Sequence, residues 1–400
     1  MIDHRRLGRE LDLFDSDPLI GAGLPFWLPA GAAARHEVES YLHELERRNG
    51  YQHVYSPVMG KRQMYELSGH WANFADDMFP PMPVGDDELV LRPSMCPHHA
   101  LIFKARQRSY RDLPLRVAEL GQMYRQERSG VLGGLSRVRS IALNDAHLFC
   151  APEQAAAEVA GVLRLMREAH AALGLRPASY RLSLRGPGKD YGGSEQGWAA
   201  SERLLRGALA DEGFAYAVAP GEAAFYGPKI DVQVRDAAGR EWTIATVQID
   251  DHQPQRFGLS YIDASGAKAR PVMVHRSLAG SMERLFGQLI EEHGGAFPVW
   301  YAPVQVAVLP VGAESSFAAS AVAAGLRAAE LRDGSLGARI RAAAKVPYLA
   351  VIGAREAEAG LVSLRLRDGR RLDPMPEAAA IALISAVAAA RKPDQLLLNP

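Results

Sequence analysis

RVAELGQMYRQERSGVLGGLSRVRSIALNDAHLF, residues 116–149, holds two apolar runs around a centre rich in glycine and arginine. Leu115 to Leu120 and Leu135 to Phe149 are expected as strands, joined by a loop that contains Ser129, Gly130, Gly133 and Gly134. Arg125, Arg128, Arg137 and Arg139 crowd this segment, with Glu119 and Glu127 nearby. Guanidinium offers a planar fork to an oxyanion, so arginines on a hairpin can clamp phosphates. The same charges also suit a solvated face, and spacing alone leaves both readings open. The chain has no Walker loop and no G-x-G-x-x-G before a helix. A nucleotide bound here is not held in the P-loop or Rossmann manner.

Outward from this hairpin, Ala33 to Gly50 reads as an amphipathic helix with Val38, Tyr41, Leu42 and Leu45 on one face. His53 to Met59 is apolar and extended, with Pro57 favouring a sheet edge. Glu153 to Leu173 is helical, with Pro152 near its start and Gly174 beyond its end. From Phe225 to His275 the period becomes two, with hairpin signals near Gly239 and Gly266. Ser277 to His293 returns to helical spacing. A boundary is expected near Phe297 to Pro303. Beyond it, Val304 to Pro310 and Val346 to Gly353 are expected as strands, and Ser315 to Leu331 and Pro376 to Arg391 as helices. Leu361 to Leu372 is strand-like around an Asp368-Gly369 turn. The expected fold class is α+β, an antiparallel-sheet domain over residues 1–300 and a small α/β domain over 301–400.

Composition narrows the class. The 400 residues carry 46 basic and 46 acidic side chains, a balance that neither indicates nor excludes a nucleic-acid partner. Cys96 and Cys150 are too few for a disulfide framework, so a reducing compartment is expected. The polar N-terminus lacks a signal-peptide core, and no apolar run is long enough to span a bilayer. A cytoplasmic protein with no membrane partner is the resulting expectation. Cys96, His147 and His275 are of zinc-ligand type but lie too far apart for any local motif, and each also suits a packed interior position. Arg284, in Gly280-Ser281-Met282-Glu283-Arg284, suits either a nucleotide phosphate or a helix surface.

These segments resemble a known family. Arg111 to Arg116, Ala118-Glu119-Leu120-Gly121 and Tyr124-Arg125-Gln126-Glu127 are similar to motif 2 of class II aminoacyl-tRNA synthetases. Pro271 to Arg276 followed by Gly280 to Arg284 resembles motif 3, and Gly50-Tyr51 through Pro57 resembles motif 1. Within the class, Ser68-Gly69-His70-Trp71, Met95-Cys96-Pro97, Asp145-Ala146-His147, Phe225 to Ile230 and Val247-Gln248 resemble the threonyl-tRNA synthetases. The likeness runs from about Asp3 to Arg391.

The resemblance implies a class II catalytic domain followed by an anticodon-binding domain, and a threonine–tRNA ligase of the form lacking the N-terminal and editing domains. It implies one Zn2+ per chain on Cys96, His147 and His275, and Mg2+ with ATP. ATP is expected on Arg125, Glu127, Arg137, Gln248 and Arg284, and threonine on Met95, Asp145, Tyr226 and Gln248. Arg125, Lys229 and Arg284 are the implied catalytic residues, and Glu356 and Arg365 the implied readers of anticodon bases. The implied partners are tRNA(Thr), ATP, L-threonine, a second copy of the chain packed through Pro57, and a separate trans-editing protein. Amino-acid activation for a non-tRNA acceptor, or a regulatory RNA-binding role, are the competing readings. Several positions depart from the family: Leu143 for a glutamine, Asn144 for an aspartate, His98 for a glycine, Ser140-Ile141-Ala142 for Gly-Phe-Thr, and Asp251-His252 for an aromatic and polar pair. All are expected near the pocket. The Arg332 to Gly337 stretch lacks the asparagine and lysine common there.

Overall fold

The computed structural model describes residues 2–187, 190–312 and 315–397. Its centre is an eight-stranded sheet. In chain order the strands are β1 (Gln52–His53), β2 (Leu115–Tyr124), β3 (Ser140–Cys150), β4 (Ser179–Leu184), β5 (Tyr216–Pro220), β6 (Lys229–Arg235), β7 (Glu241–Asp250) and β8 (Val272–Ser277). Their spatial order is β5-β4-β6-β7-β8-β3-β2-β1. All internal pairs are antiparallel, and only the two outermost pairs, β5 with β4 and β1 with β2, are parallel. The long β2–β3 pairing runs from Leu115 opposite Phe149 to Tyr124 opposite Ser140.

Two long helices cover the back of this sheet: α1 (Pro29–Arg48) and α3 (Ala155–Leu173), with α2 (Cys96–Lys104) elsewhere. Val38, Leu42 and Leu45 of α1 and Val159, Leu163 and Met166 of α3 are fully buried in one core with Val247, Val274 and Leu148. Helical spacing of three and four gives each helix one apolar stripe, and that stripe meets the apolar strand face. Gly174 ends α3 at φ +73°, a left-handed cap that suits glycine.

The remaining strands form a second unit: β9 (Val306–Val311), β10 (Ala328–Glu330), β11 (Tyr348–Gly353), β12 (Leu361–Leu366) and β13 (Met375–Pro376), ordered β10-β9-β11-β12-β13. Val308, Ile352, Leu364 and Ile384 lie in its separate core, where the helix Glu377–Ala390 also packs.

Four expectations need correction. The strand expected from Leu135 begins only at Ser140, so Leu135 to Arg139 belong to the loop before it. The helix expected over Ser315 to Leu331 covers only Phe317–Ala323, because Gly325 turns the chain at φ +85° and Ala328–Glu330 joins the sheet beside β9. An alanine-rich run has no period that separates helix from short buried strand. Ser277 ends β8, and the following helix, α4 (Met282–Glu292), begins only after Gly280 at φ +65° and the Ser281 cap. Of His53 to Met59, only His53 and Met59 fall in strands.

Candidate active site and metal centre

Strand register builds the site. Residues directly opposite in antiparallel strands share a sheet face. Lys229 faces Gln248, Gln248 faces His275, and His275 faces His147, so one polar row crosses β6, β7, β8 and β3. A second row two residues along holds Asp231, Thr246 and Ser277, and Asp145 precedes His147 by the same two-residue step. The opposite face carries Ile230, Val247, Val274 and Ala146, all in the main core.

Cys96 arrives from outside the sheet, as the first residue of α2. Its Sγ and one ring nitrogen each of His147 and His275 all lie within 4.8 Å of one another, and all three residues are buried. His147 Nε2 is 3.0 Å from His275 Nδ1. The outer nitrogens are engaged elsewhere: His275 Nε2 with Asp250 Oδ2 at 2.8 Å, and His147 Nδ1 with His99 Nδ1 at 2.8 Å. One thiol and two imidazoles, each ring backed by a hydrogen-bond partner, match the donor set and support that zinc takes. Burial pushes the Cys96 thiol up to about 12 and His147 well below its ordinary value. A bound divalent cation would favour the thiolate and the neutral imidazole.

A cavity of about 300 Å³ opens over His147 and His275, with Arg125, Leu143, Asp145, Tyr226, Gln248 and Arg284 on its walls. Burial raises the Asp145 carboxyl to about 6, and its Oδ2 lies 3.9 Å from His147 Nε2. The Tyr226 ring lies 4.9 Å from that of His275 at 31°. Gln248 Nε2 donates to the Gly227 carbonyl at 3.0 Å.

Two guanidinium groups face this cavity without a carboxylate partner among the described residues. Arg284, in the first turn of α4, donates to the carbonyls of Ser136 (3.0 Å) and Thr243 (3.2 Å) and lies over Trp242. Burial, together with Arg125 and Arg137, lowers its pKa to about 10. The Arg125 side chain makes no hydrogen bond or ion pair among the described residues. Uncompensated positive charge in a cleft is what a polyanion needs.

Other sequence candidates lie apart from this cavity. Arg137 and Glu127 form an ion pair (Nη2–Oε2 2.7 Å) beside a second cavity of about 410 Å³, where Asp76 and Asp77 also lie. Lys229 is paired with Asp231, which Ser183 and Thr246 also hold. Met95 is fully buried beneath Gly121. In the second unit, Glu356 caps its own helix through Gly353 N–H at 3.2 Å, and Arg365 lies on β12 opposite Leu349.

The departures do not all lie near the cavity. Asn144 and Ala142 fall on the back of the sheet, because neighbours along a strand alternate faces. Asn144 Nδ2 donates to Glu46 Oε1 at 2.8 Å and its Oδ1 accepts from Arg276 at 3.2 Å, while Ala142 N–H donates to Glu283. His98 is buried beside the Met59 carbonyl. Leu143 and Ile141 do line the cavity, and Asp251 and His252 flank a recess next to Tyr226. Nothing local in the sequence marks His99 or Asp250 as partners of the histidines, since His99 arrives on the separate helix α2 and Asp250 through the β7–β8 pairing.

Residues 83–293 match the family model of the tRNA synthetase class II core domain (G, H, P, S and T), and residues 305–386 match that of the anticodon binding domain. The chain is 47% identical over 390 residues to a threonine–tRNA ligase of Thermus thermophilus, covering 94% of this chain and 59% of that one. It is also 47% identical over 375 residues to one of Lactobacillus helveticus, covering 91% and 58%. The chain thus spans about three fifths of the length of the curated relatives it matches. A solved structure described as the RNA binding domain of a Cryptosporidium parvum threonyl-tRNA synthetase superposes with TM-score 0.90 at 33% identity, over 96% of this chain and 98% of that one. A Giardia lamblia prolyl-tRNA synthetase with prolyl-adenylate shares the fold, at TM-score 0.73 and 18% identity, over 97% and 79%.

Proposed function

Starting from the fact that this chain belongs to the class II tRNA synthetase core-domain family, we propose that it activates threonine with ATP and transfers it to tRNA(Thr). One observation carries the reading. The Cys96, His147 and His275 donors converge beside a cavity that both histidines line, and whose walls also present Arg125 and Arg284 without carboxylate partners among the described residues. A site for a small polar amino acid thus adjoins a site for phosphate.

In the first step the threonine carboxylate attacks the α-phosphorus of ATP, the bond to the β-phosphate oxygen breaks, and pyrophosphate leaves with the electron pair. Negative charge grows on the transferring phosphate. Arg125, free in the cavity, lies against the α-phosphate and substrate carboxylate, and Arg284 holds the outer phosphates with Arg137. Preorganised cations of this kind lower the barrier because they need no reorganisation as charge develops. Glu127 places the adenine, and Gln248 and Lys229 orient the adenylate from the adjoining strands. In the second step a terminal ribose hydroxyl of tRNA attacks the threonyl carbonyl and AMP departs. Magnesium accompanies ATP.

Cys96, His147 and His275 would hold one zinc ion with positions left open, and it would take up the amino group and hydroxyl of threonine. Asp145 accepts from that hydroxyl, and Tyr226 shapes the pocket around it, with Met95 buried outside the lining beneath Gly121. Residues 1–300 form the catalytic unit and 301–400 the anticodon-binding unit, where Glu356 and Arg365 read bases. The chain works as a cytoplasmic homodimer.

The test is amino-acid-dependent ATP–pyrophosphate exchange across the twenty amino acids, followed by charging of total tRNA. Threonine alone should drive strong exchange and give charged tRNA. Exchange without tRNA charging would favour a different acceptor, and no exchange at all would remove the enzyme reading. Zinc content should be one per chain in wild type and should fall in Cys96→Ala.

A further inference from the structure

His99 has no place in the chemistry described so far. It is fully buried in α2, three residues after Cys96, and its two ring nitrogens are both engaged. Nδ1 lies 2.8 Å from His147 Nδ1, and Nε2 lies 3.1 Å from Glu119 Oε2. Glu119 is buried as well, and it receives Arg92 Nη2 at 2.9 Å and Ser56 Oγ at 2.6 Å. Two like nitrogens at hydrogen-bond distance require that one donate and the other accept.

The direction of the whole chain follows from the metal centre proposed above. His147 offers Nε2 to the ligand cluster, where it lies 3.0 Å from His275 Nδ1. A ligating nitrogen carries no proton, so the proton of His147 sits on Nδ1 and points at His99. His99 Nδ1 must then accept, which puts its own proton on Nε2, facing Glu119. An ionised carboxylate only accepts, so Glu119 fixes this arrangement, and Arg92 keeps it ionised. We propose that His99 is a positioning residue that, anchored by Glu119, fixes the tautomer and ring orientation of the metal ligand His147.

The inference rests on the reading of Cys96, His147 and His275 as a metal site. Its test is therefore zinc binding, measured by competition with a chromophoric chelator in the full chain without threonine, ATP or tRNA. Partners of this kind change metal affinity by about 10–100-fold. His99→Leu, which removes the acceptor, should weaken zinc binding by about that factor. His99→Asn, whose side-chain oxygen can accept where Nδ1 does, should restore most of it. Glu119→Gln can donate toward His99 and so reverse the chain, and it should weaken zinc binding as well. The melting temperature of each metal-free variant reports loss of packing separately. Wild-type zinc affinity in both His99→Leu and Glu119→Gln would overturn the proposal, as would an equal loss in His99→Leu and His99→Asn. If His99→Leu does not fold, the Asn and Gln variants decide: strong binding in the first and weak in the second supports the chain, and any other pattern overturns it. A wild-type protein that binds no zinc would overturn both the metal reading and this inference. Normal zinc binding without threonine-dependent exchange would overturn only the proposed activity.

Discussion

Arg125 and Arg284 differ in how they are held, and that difference sets what their loss should do. Arg284 is tethered by two carbonyls and lies over Trp242, whereas Arg125 has no side-chain partner among the described residues. In the proposed mechanism, alanine at either position removes a cation aimed at developing phosphate charge, a loss of about 3–4 kcal/mol, or roughly a hundred- to thousandfold in rate. We expect exchange to fall by that factor in both variants. Arg125→Ala should keep the wild-type melting temperature, and Arg284→Ala should lower it slightly. Exchange near wild type in either would place the phosphates elsewhere. Amino-acid choice is argued at the same scale. In the proposed site, valine lacks the hydroxyl that Asp145 and the ligand cluster would meet, and leaving such polar groups unpaired is costly, about 10⁴–10⁵-fold in comparable sites. Serine keeps the hydroxyl and lacks one methyl, worth about 1–3 kcal/mol, or roughly 10–200-fold. The ratio of kcat/KM for adenylate formation should therefore be large for threonine over valine and modest for threonine over serine. Equal rejection of both would mean that the hydroxyl is not what the pocket reads.

Elements place these residues through register, and register is where the sequence was least informative. The alternation over Phe225 to His275 and the two runs flanking Arg125 were legible as strands, because period two is a local property. The face each residue takes was legible only in part. Asn144 and Asp145 are neighbours in sequence, yet one binds Glu46 behind the sheet and the other faces the cavity. His147 and His275 become neighbours only because β3 pairs with β8, and no spacing announces that. The family motifs group these residues where local pattern does not. The loop before β6 shows how tightly elements are seated. An added Cβ at Gly227 would fall 1.8 Å from the Ile249 carbonyl oxygen, a backbone atom that β7 holds in place. Gly227→Ala should therefore shift this loop, with Tyr226 on it, and cost about 1–3 kcal/mol as overpacking does. A lowered urea midpoint with weakened threonine binding is the expected outcome. A wild-type midpoint would show that the loop yields freely.

At the scale of the whole molecule, the edge of the large sheet leaves one surface without cover. β1 is the last strand, only two residues long, and the chain that follows it exposes Tyr55 at 94% and Met59 at 41%, with Pro57 exposed between them. Alternation puts all three side chains on one side of an extended segment, while Ser56 between them turns inward to Glu119. An aromatic ring this open, flanked by a proline and a methionine and anchored from behind by buried charges, suits a contact with a second copy. Motif 1 resemblance points to the same segment. A two-fold arrangement would bring it against itself, so each substitution would act twice at one interface. We expect light scattering at micromolar concentration to give about twice the chain mass of 43.4 kDa. Tyr55→Asp places two carboxylates at that contact and should shift the protein toward monomer, whereas Tyr55→Phe should leave it dimeric. Because Tyr55 is not among the residues lining either cavity, any loss of exchange activity in Tyr55→Asp should follow dissociation, recovering as protein concentration rises. A wild-type protein that runs as a monomer, or a Tyr55→Asp variant that remains fully dimeric, would take the subunit contact away from this segment.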